Sequence, residues 1–246
     1  MLNDAHFHVG QFYDIYTAPA DILRYMDRVK IDRVAISSTT VCEENYPKVL
    51  RELTELITLG RDRIVPVLWI TPAMLDSGNT TRFLDSSVTW RAIKVHRQIG
   101  WSEHFDEQVS PCLTLAKKLN VPIIFHTGES FGCNAGVFES LIKHNPKQRF
   151  ILAHSKPIGE TRQLMLKYPN VWCDTSFQTA KNIGVLVDSG LENRILWGSD
   201  YPIPRYYYPD SDMGIYYKKE LQTMKSRVTP NIYDKIKFYN FQTIWP

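Results

Sequence analysis

The chain has 246 residues, of which 43% are hydrophobic and 22% are charged. This length and composition suit one large hydrophobic core, so we expect a single domain over residues 1–246. The formal charge of +3 at pH 7 comes from 29 basic and 26 acidic residues, which argues against a nucleic acid or an anionic membrane as the binding partner.

The cysteines and the start of the chain indicate where the protein works. Cys42, Cys112, Cys133 and Cys173 show no CxxC spacing, which is typical of reduced thiols. No apolar run approaches the length of a membrane span, and the first predicted strand leaves no room for a removable signal peptide. We therefore expect a cytoplasmic protein that acts on a small molecule, and the sequence is compatible with a homo-oligomer.

Apolar strand-like segments recur along the chain, and helical patterns separate them. Strands are predicted at 2–8, 32–38, 64–70, 92–96, 121–126, 150–154, 171–175 and 194–197. The segments between them carry helix signals, such as Pro19 near one helix start and Gly60 at the end of another helix. This alternation is typical of a parallel sheet covered by crossover helices, which is either an open doubly wound sheet or a closed barrel.

Polar residues at the strand ends favour the closed barrel. His6 and His8 are two residues apart on the first strand, so their side chains face the same side. His126 ends the fifth strand, and Asp200 follows the eighth. Only a closed sheet places the first strand beside the last. We therefore predict an α/β protein with a single (β/α)8 TIM barrel and a metal site at the C-terminal rim of its strands.

These four side chains form a plausible ligand set for one divalent ion. Three neutral imidazoles and one carboxylate are donors that zinc accepts while one position stays open for water. We expect His6, His8, His126 and Asp200 to hold one ion, with zinc as the first choice and manganese as the second. The alternative for Asp200 is a turn residue without a ligand role.

The same motifs resemble a known family. The HxH of His6 and His8, the strand-five His126, the AHS around His154 and the ILWGSDYP around Asp200 are similar to the amidohydrolase superfamily. The resemblance is to the amidohydrolase-related branch, which includes aminocarboxymuconate-semialdehyde decarboxylase-like enzymes. It implies a metal-dependent TIM-barrel hydrolase in which the HxH pair, His126 and Asp200 occupy the metal-site positions.

Asp200 and His154 are the predicted catalytic residues. At the metal, Asp200 can accept a proton from water and return it to the leaving group. The resemblance gives His154 a catalytic role or a supporting one, and it could polarise a substrate carbonyl. In the family this histidine is often followed by glycine, whereas here Ser155, Lys156 and Pro157 follow it.

Candidate substrate-binding residues surround the fourth strand and the last one. Lys94 and His96 share one strand face, and Arg97 could bind a carboxylate through a bidentate guanidinium. Tyr201 is the fourth candidate. Some members of the superfamily hold two metals through a carboxylated lysine, so a second ion is expected only if Lys94 carries that modification. We favour an unmodified lysine that binds substrate.

Two loops are predicted to lie at the mouth of the barrel. Residues 201–214 are rich in proline and tyrosine and are too long for an ordinary turn. Residues 127–136 contain glycines and follow the fifth strand on the same rim. Asp174, on the seventh strand, resembles a family position that could orient a neighbouring residue.

Hydrolysis of a small amide, lactone or ester by metal-activated water is the leading function. Non-oxidative decarboxylation of a small unsaturated carboxylic acid uses the same ligands and is the main alternative. A TatD-type nuclease is disfavoured because the strand AIKVH lacks that family's acidic signature, and a PHP phosphoesterase because HFHVG lacks the acidic motif that follows. A non-catalytic metal-binding barrel is the remaining alternative.

Overall fold

The computed structural model describes residues 1–128, 130 and 132–246, and within these ranges the backbone forms a nine-stranded sheet surrounded by helices. The strands are β1 (Asn3–Phe12), β2 (Ile15–Thr17), β3 (Arg33–Ser38), β4 (Ile64–Trp69), β5 (Ala92–Val95), β6 (Ile123–His126), β7 (Phe150–Ala153), β8 (Val171–Asp174) and β9 (Ile195–Leu196). The helices are α1 (Pro19–Val29), α2 (Tyr46–Gly60), α3 (Pro72–Asp76), α4 (Asn79–Leu84), α5 (Phe105–Gln108), α6 (Ser110–Leu119), α7 (Glu139–His144), α8 (Ile158–Lys167), α9 (Ala180–Val187), α10 (Pro204–Tyr207), α11 (Met213–Arg227), α12 (Pro230–Asp234) and α13 (Asn240–Ile244).

The strand order is β2-β1-β3-β4-β5-β6-β7-β8-β9, and neighbours along the chain are neighbours in the sheet. Strands β1 and β3 to β9 pair in parallel, and each corresponds to a predicted strand. The predicted α/β class with a mostly parallel sheet is confirmed. Only β2 runs antiparallel within the described sheet, and its 3 residues are too few to carry a periodic signal.

The sheet curls until β1 lies beside the segment that follows β9. The amide of Ala5 donates to the carbonyl of Trp197 over 2.8 Å, and the amide of Asp200 donates to the carbonyl of His6 over 2.9 Å. A third bond of 2.7 Å joins the amide of His8 to the carbonyl of Tyr201. Strand β1 and the segment after β9 are thereby joined through their backbones.

Inner and outer residues alternate along the parallel strands, as the period of 2 requires. On β5, Ala92 and Lys94 face the inside of the curled sheet while Ile93 packs outward against the helices. On β6, Ile124 and His126 take the inner positions. On these two strands the inner face is therefore apolar at the beginning and polar at the C-terminal end.

The apolar part of the interior is closed by the C-terminal helix. Its inner cluster contains Ala5, Ala35, Val65, Val67, Ala92, Ile124, Ile151, Ala153, Trp172 and Leu196, to which α13 and its end add Phe241, Ile244 and Trp245. The indole nitrogen of Trp245 donates to the carbonyl of Arg91 over 2.9 Å, which fixes the helix to the sheet. Polar side chains can therefore collect only at the opposite end.

Helix α2 shows how the sequence encodes the outer layer. Asn45 caps its first turn by accepting a hydrogen bond from the amide of Lys48. Val49, Leu53 and Leu56 are spaced as one helical face and are buried against the sheet. The helix ends at Gly60, as the sequence predicts. Among the helices of the described ranges, none has the length and hydropathy that crossing a bilayer would require.

Gly10, near the end of β1, lies against a fixed polar cluster. The buried carboxylate of Glu52 accepts hydrogen bonds from Ser38 Oγ at 2.7 Å and from Thr40 Oγ1 at 3.1 Å. The φ angle of Gly10 is +96°, and a Cβ placed there would lie 2.6 Å from Glu52 Oε2 and 2.9 Å from Ser38 Oγ. Both the backbone conformation and the available space therefore require glycine.

We predict that Gly10→Ala lowers the free energy of unfolding by about 2–5 kcal/mol, since the left-handed conformation and the overpacking both cost energy. Gly78→Ala is the matched control, because its φ is +70° but no described atom lies within 4 Å of the new Cβ. That control should lose only about 1–2 kcal/mol. Urea denaturation measures both values, and equal losses would contradict the steric argument.

Candidate active site

Three buried side chains from the two ends of the sheet converge at the C-terminal end of its strands. The Nε2 atoms of His6 and His8 lie 3.3 Å apart, and each lies 3.0 Å from Asp200 Oδ1. Ligand atoms around a tetrahedral ion with bonds of about 2.0–2.1 Å are separated by about 3.3 Å. The spacing of the three atoms therefore suits one divalent ion.

The carboxylate of Asp200 gives a second test of that fit. Its Oδ1 atom is buried and has no well-aligned hydrogen-bond donor among the described residues. Burial favours protonation, yet the contacts with His6 and His8 hold the pKa of Asp200 well below its ordinary value. A buried carboxylate that stays charged needs a compensating cation. The residues present therefore fit a divalent metal.

Two polar partners fix the orientation of the imidazoles. The Nδ1 atom of His6 lies 2.9 Å from Asp174 Oδ2, so Nδ1 carries a proton and Nε2 is the ring nitrogen that faces the cluster. The Nδ1 atom of His8 lies 3.0 Å from the hydroxyl of Ser37. Asp174 thus orients a neighbour, as the sequence suggested, whereas Ser37 was not predicted.

Charge in this cluster is balanced between carboxylates and nitrogen bases. Burial and the proximity of Lys94 lower the pKa of His8 to about 3. Burial and Lys94 act in the same direction on His6, but Asp200 and Asp174 more than offset them and raise its pKa to about 9. A metal that binds through His6 must therefore displace a proton from it.

Lys94 lies directly against the two histidines. Its Nζ atom is 2.8 Å from His6 Nε2 and 3.1 Å from His8 Nε2, and it lies 4.6 Å from the centre of the Trp69 ring. Burial lowers the pKa of Lys94 to about 8, so the neutral amine is accessible near neutral pH. A neutral amine does not repel a neighbouring metal ion, whereas an ammonium does.

The remaining histidines form a second group beside the first. His126 stacks on His96 with ring centres 3.6 Å apart, and its Nδ1 lies 3.1 Å from His154 Nε2. Burial lowers the pKa of His154 to about 4, so it is neutral near pH 7. His6, His154 and Asp200 offer ligand atoms within 4.8 Å of one another, which brings His154 to the converged cluster.

Backbone strain marks the same rim. His154 and Asp200 have φ angles of 69° and 59°, in the left-handed region that costs about 1–2 kcal/mol for residues with a side chain. Ser155 and Phe177 follow with 52° and 54°. Strain of this kind persists where the surroundings over-determine it, and it clusters at functional sites.

A pocket of about 690 Å³ opens above these groups, a size typical of small-molecule sites. The predicted site residues that line it are His8, Lys94, His96, His126, His154 and Asp200. The described residues that line it do not include Arg97 or Tyr201. The guanidinium of Arg97 lies 5.1 Å from the centre of the Phe105 ring, and Tyr201 stacks on Tyr25 with ring centres 3.7 Å apart.

The mouth of the pocket is largely aromatic. Tyr206, Tyr207 and Tyr208 line it, consistent with the predicted position of the 201–214 segment. From the predicted 127–136 loop, Thr127 and Gly128 line the pocket. Glu129 and Phe131 of that loop lie outside the described residues. The sequence analysis did not assign Phe12, Tyr13, Trp69, Lys156 or Phe177 to the site. For Trp69, an inner position at the end of β4 could have indicated it.

Comparison with known proteins identifies the family. A family model described as Amidohydrolase matches residues 4–219. None of the curated proteins compared with the chain matches it. The chain resembles a solved amidohydrolase from Burkholderia multivorans with bound zinc, with a TM-score of 0.71, 11% identity, and coverage of 99% of this chain and 98% of that chain.

Two further solved structures share the fold. An uncharacterized TIM-barrel protein from Bordetella bronchiseptica has a TM-score of 0.70 and 13% identity, over 99% of this chain and 98% of that chain. A probable 2-pyrone-4,6-dicarboxylic acid hydrolase from Acinetobacter baumannii, with citric acid bound, has a TM-score of 0.66 and 11% identity, over 99% and 98%. Because the family model spans most of the chain and includes the whole converged cluster, the chain belongs to the amidohydrolase family.

Proposed function

We propose that the protein is a metal-dependent hydrolase that cleaves a small amide, lactone or ester. The observation that carries this proposal is the convergence of His6 Nε2, His8 Nε2 and Asp200 Oδ1 at separations suited to one ion. Membership of the amidohydrolase family and the zinc in the Burkholderia multivorans structure support it.

The proposed architecture is one domain, residues 1–246, built as a closed (β/α)8 barrel. The backbone bonds between β1 and the segment after β9 support closure. The likeness to a TIM-barrel protein supports it as well. In such a barrel, sites are built at the C-terminal ends of the strands.

The proposed ligands are His6, His8, His126 and Asp200. His126 completes the set because it ends β6 on the inner face and lines the same pocket. Zinc is the first choice and manganese the second. A divalent ion in such a site lowers the pKa of water from 15.7 to about 7 and polarises a carbonyl oxygen.

The protein's own residues supply the proton transfers and the orientation. The carboxylate of Asp200 accepts the proton of the attacking water and passes it to the leaving group. His154 is neutral, lines the pocket and is held by Ser176 Oγ at 2.8 Å from its Nδ1. Its Nε2, which contacts His126 Nδ1 at 3.1 Å in this structure, would hydrogen-bond the reacting carbonyl or the water once the substrate is bound. Lys94 and His96 form the adjoining wall and contact the substrate.

Small lactones are a reasonable starting point for identifying the substrate. The Acinetobacter baumannii relative is a probable hydrolase of a pyrone, which is a cyclic ester. Decarboxylation of a small unsaturated acid remains the alternative, because it would use the same ligands. Assaying a panel of lactones, amides and unsaturated acids for acid release and for carbon dioxide separates the two reactions.

We predict that the purified protein holds close to one equivalent of zinc. His6→Ala and Asp200→Ala should each reduce the zinc occupancy to near zero, because each removes one of the proposed metal ligands from a buried site. Mass-spectrometric metal analysis gives the occupancy, and circular dichroism checks the fold. The exposed His104→Ala is the matched control and should keep its zinc. Full occupancy in both ligand variants would refute the proposed metal site.

The His154→Asn variant tests the catalytic assignment. It should keep the metal and lose about 10² to 10⁴ in turnover on any panel substrate that the wild type cleaves, the usual range for one acid–base or electrostatic group. The metal content and the turnover are measured on the same sample. Loss of the metal would instead make His154 a ligand, and unchanged turnover would remove it from the mechanism.

Lys94 decides between one ion and two. We predict an unmodified Lys94 and a single metal, because His6 Nε2, His8 Nε2 and Asp200 Oδ1 are spaced for one ion. A carboxylated lysine would instead bridge two ions about 3.5–4 Å apart. A crystal structure of the zinc-loaded protein, with anomalous scattering, should show one peak and an ordinary amine. Two peaks that flank a planar group on Nζ would establish the two-metal form.

A further inference from the structure

Lys156 enters the pocket from a rigid backbone. Its amide donates to Thr127 Oγ1 over 2.8 Å, and its carbonyl accepts from the amide of Ala135 over 2.9 Å. The hydroxyl of Thr127 in turn donates to the carbonyl of Ala153, the last residue of β7. The half-buried lysine side chain therefore extends from a position that the barrel rim fixes on both sides.

Lys156 is one of few charged side chains among the described residues that line the pocket. Besides its histidines, the charged residues among those described as lining it are Lys94, Lys156 and Asp200. The Nζ atom of Lys94 is already engaged with His6 and His8. Among the described residues, which do not include Glu129, Lys156 forms no ion pair.

Phe177 places this cation close to the reacting groups. The Nζ atom of Lys156 lies 6.0 Å from the centre of the Phe177 ring. The centre of the His154 ring lies 5.9 Å from the same point. Tyr207 packs edge-on against the same phenyl ring at 5.7 Å. A ligand about the length of one substituted ring could therefore contact both His154 and Lys156 along an aromatic wall.

We propose that Lys156 binds a carboxylate of the substrate, at the end remote from the bond that is cleaved, and so makes the enzyme selective for small acids. This inference rests on the proposed function, because it takes the metal cluster as the place where the other end of the substrate binds. A fixed ammonium beside an aromatic wall pairs with a carboxylate and rejects the neutral analogue, which would leave the cation without a partner.

The test uses two pairs of probes that differ only in charge at one end. Benzene-1,3-dicarboxylate is compared with 3-carbamoylbenzoate, and benzene-1,4-dicarboxylate with 4-carbamoylbenzoate, by titration calorimetry. In at least one pair, the wild type should bind the dicarboxylate about 10- to 100-fold more tightly. Lys156→Ala should abolish that ratio, because it weakens the binding of the dicarboxylate more than that of the monoamide. Lys156→Arg should restore most of the ratio.

Lys118→Ala is the matched control, since Lys118 is exposed on α6 and does not line the pocket. It should keep the wild-type ratio. No charge preference in either pair for the wild type, or a preference that survives in Lys156→Ala, would overturn the inference. The same titrations on Asp200→Ala, with and without Lys156→Ala, separate the Lys156 carboxylate site from the proposed hydrolase function. If the preference for the dicarboxylate still depends on Lys156 there, the carboxylate site is supported even where metal analysis refutes the metal-dependent hydrolase.

Discussion

The hydrogen bonds that join β1 to the segment after β9 are the constraint on which the site depends. They bring Asp200, near the end of the sheet, to His6 and His8, which lie almost 200 residues earlier in the sequence. The bond from the Asp200 amide to the His6 carbonyl holds the two residues at the backbone level. Without these bonds the carboxylate and the imidazoles would not be held beside one another.

Burial of so much charge is tolerable because the groups compensate one another. Asp174 and Asp200 face His6, and Lys94 lies between the histidines, so each buried ion has an opposite charge or a hydrogen-bonding partner nearby. The same arrangement is poised for a metal. A divalent ion would take over the role of the proton on His6 and of the cation at Lys94.

The rim above this cluster combines strain with rigid support. His154 and Asp200 have left-handed backbone and both line one pocket, and the network through Thr127 holds the neighbouring Lys156. Such support keeps a site preorganised, and preorganisation is the main source of catalytic power in electrostatic mechanisms.

The sequence by itself determined the α/β class, the positions of the parallel strands and the candidates at their ends, because strand period and strand termini are local properties of the chain. It also singled out Asp174. The tertiary structure alone decided which candidates meet: His6, His8 and Asp200 come together with Lys94, while Tyr201 stacks on Tyr25 and Arg97 lies over Phe105. Ser37 and Phe177 carried no local signal, and Lys156 stood out only as part of a departure from the family pattern after His154. Their contacts join residues distant in sequence, and such contacts depend on how the sheet curls.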